Sequence, residues 1–287
     1  MNLPSNPLLN KSFTELEIVC FDIEATGLRK ATARIVEIAA VKIRAAEILE
    51  DTFESLCRPD YPIPPGAIRI HHITDDDVAG APETHEVVTR FFEWAGDDCL
   101  FAAHNAHYDV EVLARNAMRA GVSDTQRVMA LDTLGWSRRW LEARNYKLGT
   151  LARELEIEPE GDLHRALCDA RLLAGIAASM IDGFGVEKTP SDLLKLISPE
   201  ALVLPPEFST ATPELPSRLQ PITDALAGGN QVRIKVADRR KGDYAAIVRP
   251  LFLLFDGDTP LMEAWSEKLG EVRNYPLDRV IAAEELA

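Results

Sequence analysis

Hydrophobic positions along the first 185 residues follow two rhythms. Glu17–Ile23 (EIVCFDI), Ile35–Ile43 (IVEIAAVKI) and Ile48–Cys57 are short runs rich in β-branched and aromatic residues. They predict strands, and the short polar turns between them predict an antiparallel meander. Cys99–Ala103 predicts a further short strand and Val128–Leu131 another. Tyr108–Ala120, Asn145–Leu155 and Leu167–Ile181 instead repeat apolar residues at helical spacing. Strands first, then strand–helix alternation, predict an α/β domain with a mixed sheet and helices on its faces.

The pattern breaks between Thr189 and Pro221, where seven of the 18 prolines fall. Proline fixes φ and removes a backbone donor, so this stretch reads as an extended linker with one short helix near Ser191–Ile197. Beyond it, residues 231–236 (QVRIKV), Tyr244–Phe255, Pro260–Trp265 and Glu271–Tyr275 predict strands. They are split by Gly242, Asp256-Gly257-Asp258 and Gly270, and together predict a small β-barrel. The expected organisation is an N-terminal extension (1–14), an α/β domain (15–185), a linker (186–217) and a β domain (218–287).

Composition narrows the class. No run of about 18 apolar residues is long enough to span a bilayer, and the start, MNLPSNPLLNKSF, lacks a basic-then-apolar signal pattern. A cytoplasmic protein with no membrane partner is expected. Cys20, Cys57, Cys99 and Cys168 are scattered without a CxxC pair, which suits reduced thiols. With 31 basic and 46 acidic residues the net charge is −15, which argues against coating a duplex through a broad basic face. From Pro216 onward the counts are 10 and 11, so nearly all of the excess falls on the first 215 residues. Such asymmetry suggests two units with different tasks.

Candidate chemistry sits in three places. Asp22 and Glu24 are two apart on the first strand, so both carboxylates face one side. Asp109 follows a strand and opens a helix whose apolar stripe includes Val112, Leu113 and Ala117. Asp169 lies on a helix face with Leu173, Ile176 and Met180, and His164 precedes it by five residues. Five residues turn a helix by about 140°, so His164 approaches the same site from the preceding loop or first turn. Taken singly, each has a plainer reading: a solvated strand end, an aspartate offsetting the helix macrodipole, a surface histidine. Together they make the minimum for two-metal phosphoryl chemistry. Two divalent cations clamp the attacking and leaving oxygens, hard oxygen ligands select magnesium or manganese, and a histidine takes the proton of the attacking water. His104-x2-His107 lacks the further ligands of a zinc site, and Cys20 and Cys168 read as small core residues.

The ordered set FDIEATGL, IVEIAAVKI, HNAHYDVEVL and HRALCDAR resembles the DnaQ-like 3′–5′ exonucleases of the DEDDh type over roughly residues 15–185. IHHITDDDVAGAPE, LDTLGWSRRWL and YKLGTLARELEI extend the match. The resemblance implies a ribonuclease-H-like fold with a five-stranded mixed sheet. It implies metal ligation by Asp22, Glu24, Asp109 and Asp169, two Mg2+ or Mn2+ ions, and His164 as general base. Thr26, Gly27 and Leu28 match the segment that meets the 3′-terminal nucleotide, where an apolar side chain stacks on or wedges beside the last base. Asn105 and Tyr108 match further substrate-side positions. Two departures stand out: Tyr108 replaces the usual phenylalanine, and His72 the usual glycine of IHGIT.

VRPLFLLFDGDTPLMEAWSEKLGEVRNYPLDRVIAAEEL resembles a WYL domain, an SH3/Sm-like barrel, over about residues 218–286, although Pro260-Leu261-Met262 stands in place of the name-giving tripeptide. This implies binding of a nucleotide or single-stranded nucleic acid, or a regulatory contact. Arg249, Arg273 and Arg279 with Trp265 or Tyr275 are candidates to hold phosphate and stack a base, and Arg239-Arg240-Lys241 is a candidate phosphate contact. The plainer reading makes Trp265 a core residue. The leading expectation is an exonuclease acting on single-stranded or frayed 3′ ends of DNA and releasing 5′-monophosphates. RNA 3′-end trimming, and a catalytically idle sensor acting through the C-terminal domain, remain alternatives. A polymerase or repair partner and the oligomeric state stay open.

Overall fold

The computed structural model describes residues 4–122, 128–159, 164–206, 211–238, 240 and 242–286. They form two compact units: the first takes in the described residues up to 59 and from 65 to 206, the second 60–64 and those from 211 onward.

In the first unit, β1 (Glu17–Ala25), β2 (Ile35–Arg44), β3 (Glu47–Leu56), β4 (Cys99–Ala103), β5 (Ala130–Asp132) and β6 (Leu202–Val203) form one sheet in the order β3-β2-β1-β4-β5-β6. β1 pairs antiparallel with β2 and parallel with β4, and β4 runs parallel to β5. The helices are α1 (Pro65–His71), α2 (Asp75–Val78), α3 (Thr84–Ala95), α4 (His107–Arg119), α5 (Thr133–Trp140), α6 (Leu148–Glu154), α7 (Ala166–Phe184) and α8 (Pro190–Leu196).

Both faces of β1 are covered, which is why its sequence is almost continuously apolar. Val19, Phe21 and Ile23 join a core with Val87, Phe91, Val112 and Leu113 of α3 and α4. Ile18 and Cys20 join the opposite core with Ala170, Leu173, Ile176 and Ala177 of α7. Alternation along the strand carries Asp22 and Glu24 onto the α7 side. The β1–β4 pairing ends with Cys20 opposite Ala102. The order passes from β1 to β4 where the winding changes direction, a place where open α/β sheets commonly seat their ligands beyond the carboxyl ends of the strands.

The expected five-stranded sheet has six strands. β6 adds itself antiparallel to β5 from within the proline-dense segment. Instead of running extended throughout, that segment also holds α8, at the place where one short helix was expected. Thr189 caps it: its hydroxyl accepts from the Asp192 N–H, and the Asp192 carboxylate accepts from the Thr189 N–H. Pro190 sits in the first turn, where its missing donor costs nothing. Leu193 and Leu194 are fully buried in the α7-side core. Helices α1–α3 and α5 also lie where the hydrophobic pattern gave no element.

The second unit is a five-stranded antiparallel sheet in the order β10-β9-β8-β7-β11, with β7 (Val232–Val236), β8 (Tyr244–Asp256), β9 (Thr259–Ser266), β10 (Glu271–Pro276) and β11 (Val280–Glu285). β8 is long enough to pair with β7 through its first half and with β9 through its second, across an irregularity between Pro250 and Phe252. Among the described residues the edge strands β10 and β11 do not pair, so the expected closed barrel is an open sheet. A helix not anticipated from sequence, α9 (Gln220–Gly228), packs Ile222 and Ala225 against Val232, Ile234 and Val280. It covers apolar surface that closure of the sheet would otherwise have to bury. Among the described residues no helix is long and apolar enough to cross a membrane.

Burial of α8 generates a prediction. Leu194→Ala should destabilise the protein by about 2–5 kcal/mol in urea unfolding followed by circular dichroism, as for a core leucine. A change within about 0.5 kcal/mol, the surface range, would show that the segment is not part of the folded core.

Candidate active site

The carboxyl end of β1 and the first turns of α4 and α7 carry the carboxylates. Asp22 and Glu24 enter from β1, both half-buried. Asp109 enters from the first turn of α4 and is buried. Asp169 enters from the first turn of α7. His164 lies just before that helix, exposed, in the left-handed region at φ 63°. Oxygens of Glu24 and Asp169 and a ring nitrogen of His164 lie within 4.8 Å of one another. Three of the five residues named from the sequence thus meet, and Asp22 and Asp109 lie close enough to act on this group electrostatically.

Burial and mutual repulsion set the electrostatics of the cluster. Burial, then repulsion by Asp109, Asp169, Glu24 and Glu37, raises the Asp22 carboxyl well above the usual range. Burial, reinforced by Asp169, Glu37 and Asp109, pushes Glu24 up to about 8. Burial pushes Asp109 up to about 7 against the pull of backbone hydrogen bonds at Asp109 and Ile23. Asp169 is raised mainly by burial, with His164 opposing. Carboxylates this close stay ionised together only when positive charge joins them. An all-carboxylate set with one imidazole fits a hard divalent cation.

The supporting residues are as informative as the cluster. Glu37 of β2, absent from the candidates drawn from sequence, is wholly buried. Its carboxylate accepts from Arg165 Nε at 3.1 Å and Nη2 at 2.6 Å, and from the Ala166 N–H at 2.8 Å. Asp132, at the end of β5, was likewise missed. It accepts from four backbone N–H groups: Asn105, Ala106, Leu134 and Gly135. It thereby caps α5 and fixes the turn, with Asn105 at φ 64°, that leads into α4 and Asp109. Signals for both existed. Glu37 is an acid inside a run of core residues, which demands a partner. Asp132 stands between a strand and a helix, at an N-cap.

The β1–β2 connection is braced on α4. Tyr108 donates its hydroxyl to the Gly27 carbonyl at 2.7 Å, Lys30 pairs with Glu111 at 2.7 Å, and Asn116 donates to the Ala33 carbonyl at 3.1 Å. Thr26 is buried, and its hydroxyl accepts from the Arg34 N–H at 2.9 Å. Leu28 stands at the tip, 82% exposed. Asn105 is exposed and Tyr108 half-buried beside this loop. His104 gives one ring nitrogen to Thr133 Oγ1 and the other to the Tyr146 carbonyl, which leaves neither for zinc. Burial raises the thiols of Cys20 and Cys57.

In the second unit Arg249 stands opposite Trp265 in the β8–β9 register, and Arg273 and Tyr275 are electrostatic neighbours on β10. Trp265 is buried, its ring stacked on Tyr61 at 5.2 Å and packed with Val272 and Leu251. Arg249 donates to the Asp60 carbonyl at 3.0 Å. Arg273 pairs with Glu271 at 2.7 Å, Tyr275 is buried, and Arg279 is exposed on a short turn after β10. Arg239 and Lys241 lie outside the described residues.

The raised carboxyls make stability depend on pH and metal. A carboxyl whose folded pKa exceeds its unfolded value holds a proton that the unfolded chain has released, so stability falls as pH rises through that window. His71 and His104, depressed mainly by burial, act oppositely, but their effect is complete by about pH 7. Between pH 7.0 and 8.5 the metal-free protein should therefore lose several degrees of Tm, and saturating Mn2+ should restore them. Asp22→Asn should raise the metal-free Tm at pH 8.5. A flat or rising Tm in EDTA across this range would contradict the electrostatic account.

Comparison with known proteins agrees with this geometry. The RNase_T family, described as exonuclease, matches residues 19–177, more than half of the chain, and the WYL domain family matches residues 217–285. PolC-type DNA polymerase III of Bacillus cereus is 35% identical over 173 residues, which are 60% of this chain and 12% of that protein. The Oceanobacillus iheyensis protein of the same description is 37% identical over 188 residues, 65% of this chain and 13% of its own length. The chain thus spans about an eighth of these relatives. Exonuclease X in complex with 5′ overhanging duplex DNA superposes with a TM-score of 0.50 and 27% identity, covering 62% of this chain and 98% of that one. An exonuclease I from Methylocaldum szegediense shares the fold at a TM-score of 0.52 and 15% identity, covering 93% of this chain and 64% of that one. Exonucleases of this kind use divalent metal ions, as the carboxylate cluster requires. The chain belongs to the RNase_T family of DnaQ-like exonucleases, and it carries a C-terminal WYL domain.

Proposed function

We propose that the protein is a 3′–5′ exonuclease that removes nucleotides from single-stranded or frayed 3′ ends of DNA and releases nucleoside 5′-monophosphates. The observation that carries this reading is the grouping of Glu24, Asp169 and His164 within 4.8 Å, with Asp22 and Asp109 near enough to interact electrostatically with the cluster. The DNA bound to the exonuclease X relative and the polymerase context of the PolC relatives support DNA as the substrate.

Asp22, Glu24, Asp109 and Asp169 would hold two divalent cations, Mg2+ or Mn2+. When bound, the cations supply charge for the attacking and leaving oxygens of the phosphodiester. His164, exposed at the rim, takes the proton from the attacking water at a ring nitrogen. Exposed Leu28 meets the terminal base, and the braced loop beneath keeps that apolar surface in place without reordering on binding. Asn105 and Tyr108 line the same side.

The test uses 5′-labelled DNA and RNA strands of one sequence, with Mg2+, Mn2+ or EDTA. Expected is a metal-dependent ladder shortening from the 3′ end, faster on DNA. Asp22→Ala should slow it by roughly 10³-fold or more, and His164→Ala by about 10²–10⁴-fold. Faster shortening of RNA would move the substrate to RNA ends. Near-normal activity in Asp22→Ala would overturn the site. No cleavage with any metal would favour a binding role centred on the second unit.

A further inference from the structure

Glu37 has no place among the metal ligands proposed above, yet it is wholly buried and makes a charge-assisted network with Arg165 and the Ala166 N–H. It holds two things at once. Through Arg165 Nε and Nη2 it grips the residue that follows His164, in the forked geometry that a guanidinium and a carboxylate share. Through the Ala166 N–H it fixes the first residue of α7, the helix that presents Asp169 one turn later. His164 stands immediately before this grip, at φ 63°, a conformation that a non-glycine residue keeps only when its surroundings hold it. Two contacts hold this turn: the Asp169 carboxylate accepts from the His164 N–H, and Glu37 grips the two residues that follow.

The partner strand explains why the hold is rigid. Glu37 sits on β2 directly opposite Glu24 of β1 and opposite Leu56 of β3, so its backbone is fixed from both sides. Placing a charge there is expensive in a core strand and is sustained only by a satisfied partner. Arg165, half-exposed, is that partner.

We propose that Glu37 is a positioning residue for the exonuclease reaction: through Arg165 and the Ala166 N–H it sets His164 over the metal carboxylates. This rests on the reading of His164 as general base. It predicts a defect in turnover rather than in substrate binding, because Glu37 and Arg165 hold the base while Leu28 and its loop meet the substrate.

The experiment compares wild type, Glu37→Gln, His164→Ala and the double variant at saturating Mn2+ on a labelled single strand, with melting curves to confirm folding. Glu37→Gln keeps the size of the side chain and one acceptor for Ala166 but loses the charged fork. Its kcat should fall roughly tenfold to a hundredfold, with KM within about threefold. In the His164→Ala background the same substitution should cost little more, because what it positions is already gone. Arg165→Met, altered at a half-exposed side chain, gives the same test if Glu37→Gln fails to fold, with the same kcat-only pattern expected. A folded variant with wild-type kcat, or a full additional loss in the double variant, would overturn the clamp while leaving the exonuclease reading intact. A wild type that does not cleave, or a fully active His164→Ala, would overturn the reading and the clamp with it.

Discussion

Four buried or half-buried carboxylates brought near one another repel, and the rest of the first unit is arranged around that constraint. Burial, with repulsion from neighbouring acids, pushes Glu24 to about 8 and Asp109 to about 7, and it raises Asp22 well above the usual range. A fold that keeps such a cluster gives up stability at neutral pH unless cations join it. Function explains why the cluster is retained, since catalytic sites are where local stability is sacrificed.

Holding like charges together takes scaffolding elsewhere. β1 is buried on both faces, so the strand that carries Asp22 and Glu24 has little freedom to splay. Asp132 gathers four backbone N–H groups and thereby fixes the approach to Asp109. Glu37 ties Arg165 and the start of α7, and so Asp169. Two buried acids that are not proposed to bind metal thus hold in place the acids that are.

Much of this was legible in the sequence, for reasons that differ by residue. Alternation on a strand put Asp22 and Glu24 on one face, and helical spacing put Asp169 on the buried stripe of α7. His164 precedes α7, as its five-residue offset from Asp169 requires. Glu37 was hidden because it lies in a run that reads as uninterrupted core, and its partner Arg165 is 128 residues away. Asp132 was hidden because its role is spent on backbone groups of two separate turns. β6 was hidden by prolines: a two-residue strand in a proline-dense segment is defined by what it pairs with, not by its own pattern. In the second unit four of the five strands were read from the sequence and β11 was missed, and closure depends on edge pairing and on α9, which no local pattern reports. Trp265 follows the plainer of its two readings, enclosed by Tyr61, Val272 and Leu251.

The central claim is that the cluster exchanges protons for cations. Calorimetric titration of the metal-free protein with Mn2+ at pH 7, in two buffers of different ionisation enthalpy, counts the protons released. The account predicts a net release of about one proton or more, rising as pH falls toward 6 and lost in Asp22→Asn with the binding itself. Tight binding with no proton release would contradict it, because the carboxylates would then already be ionised and their burial would not be the constraint on which the fold depends.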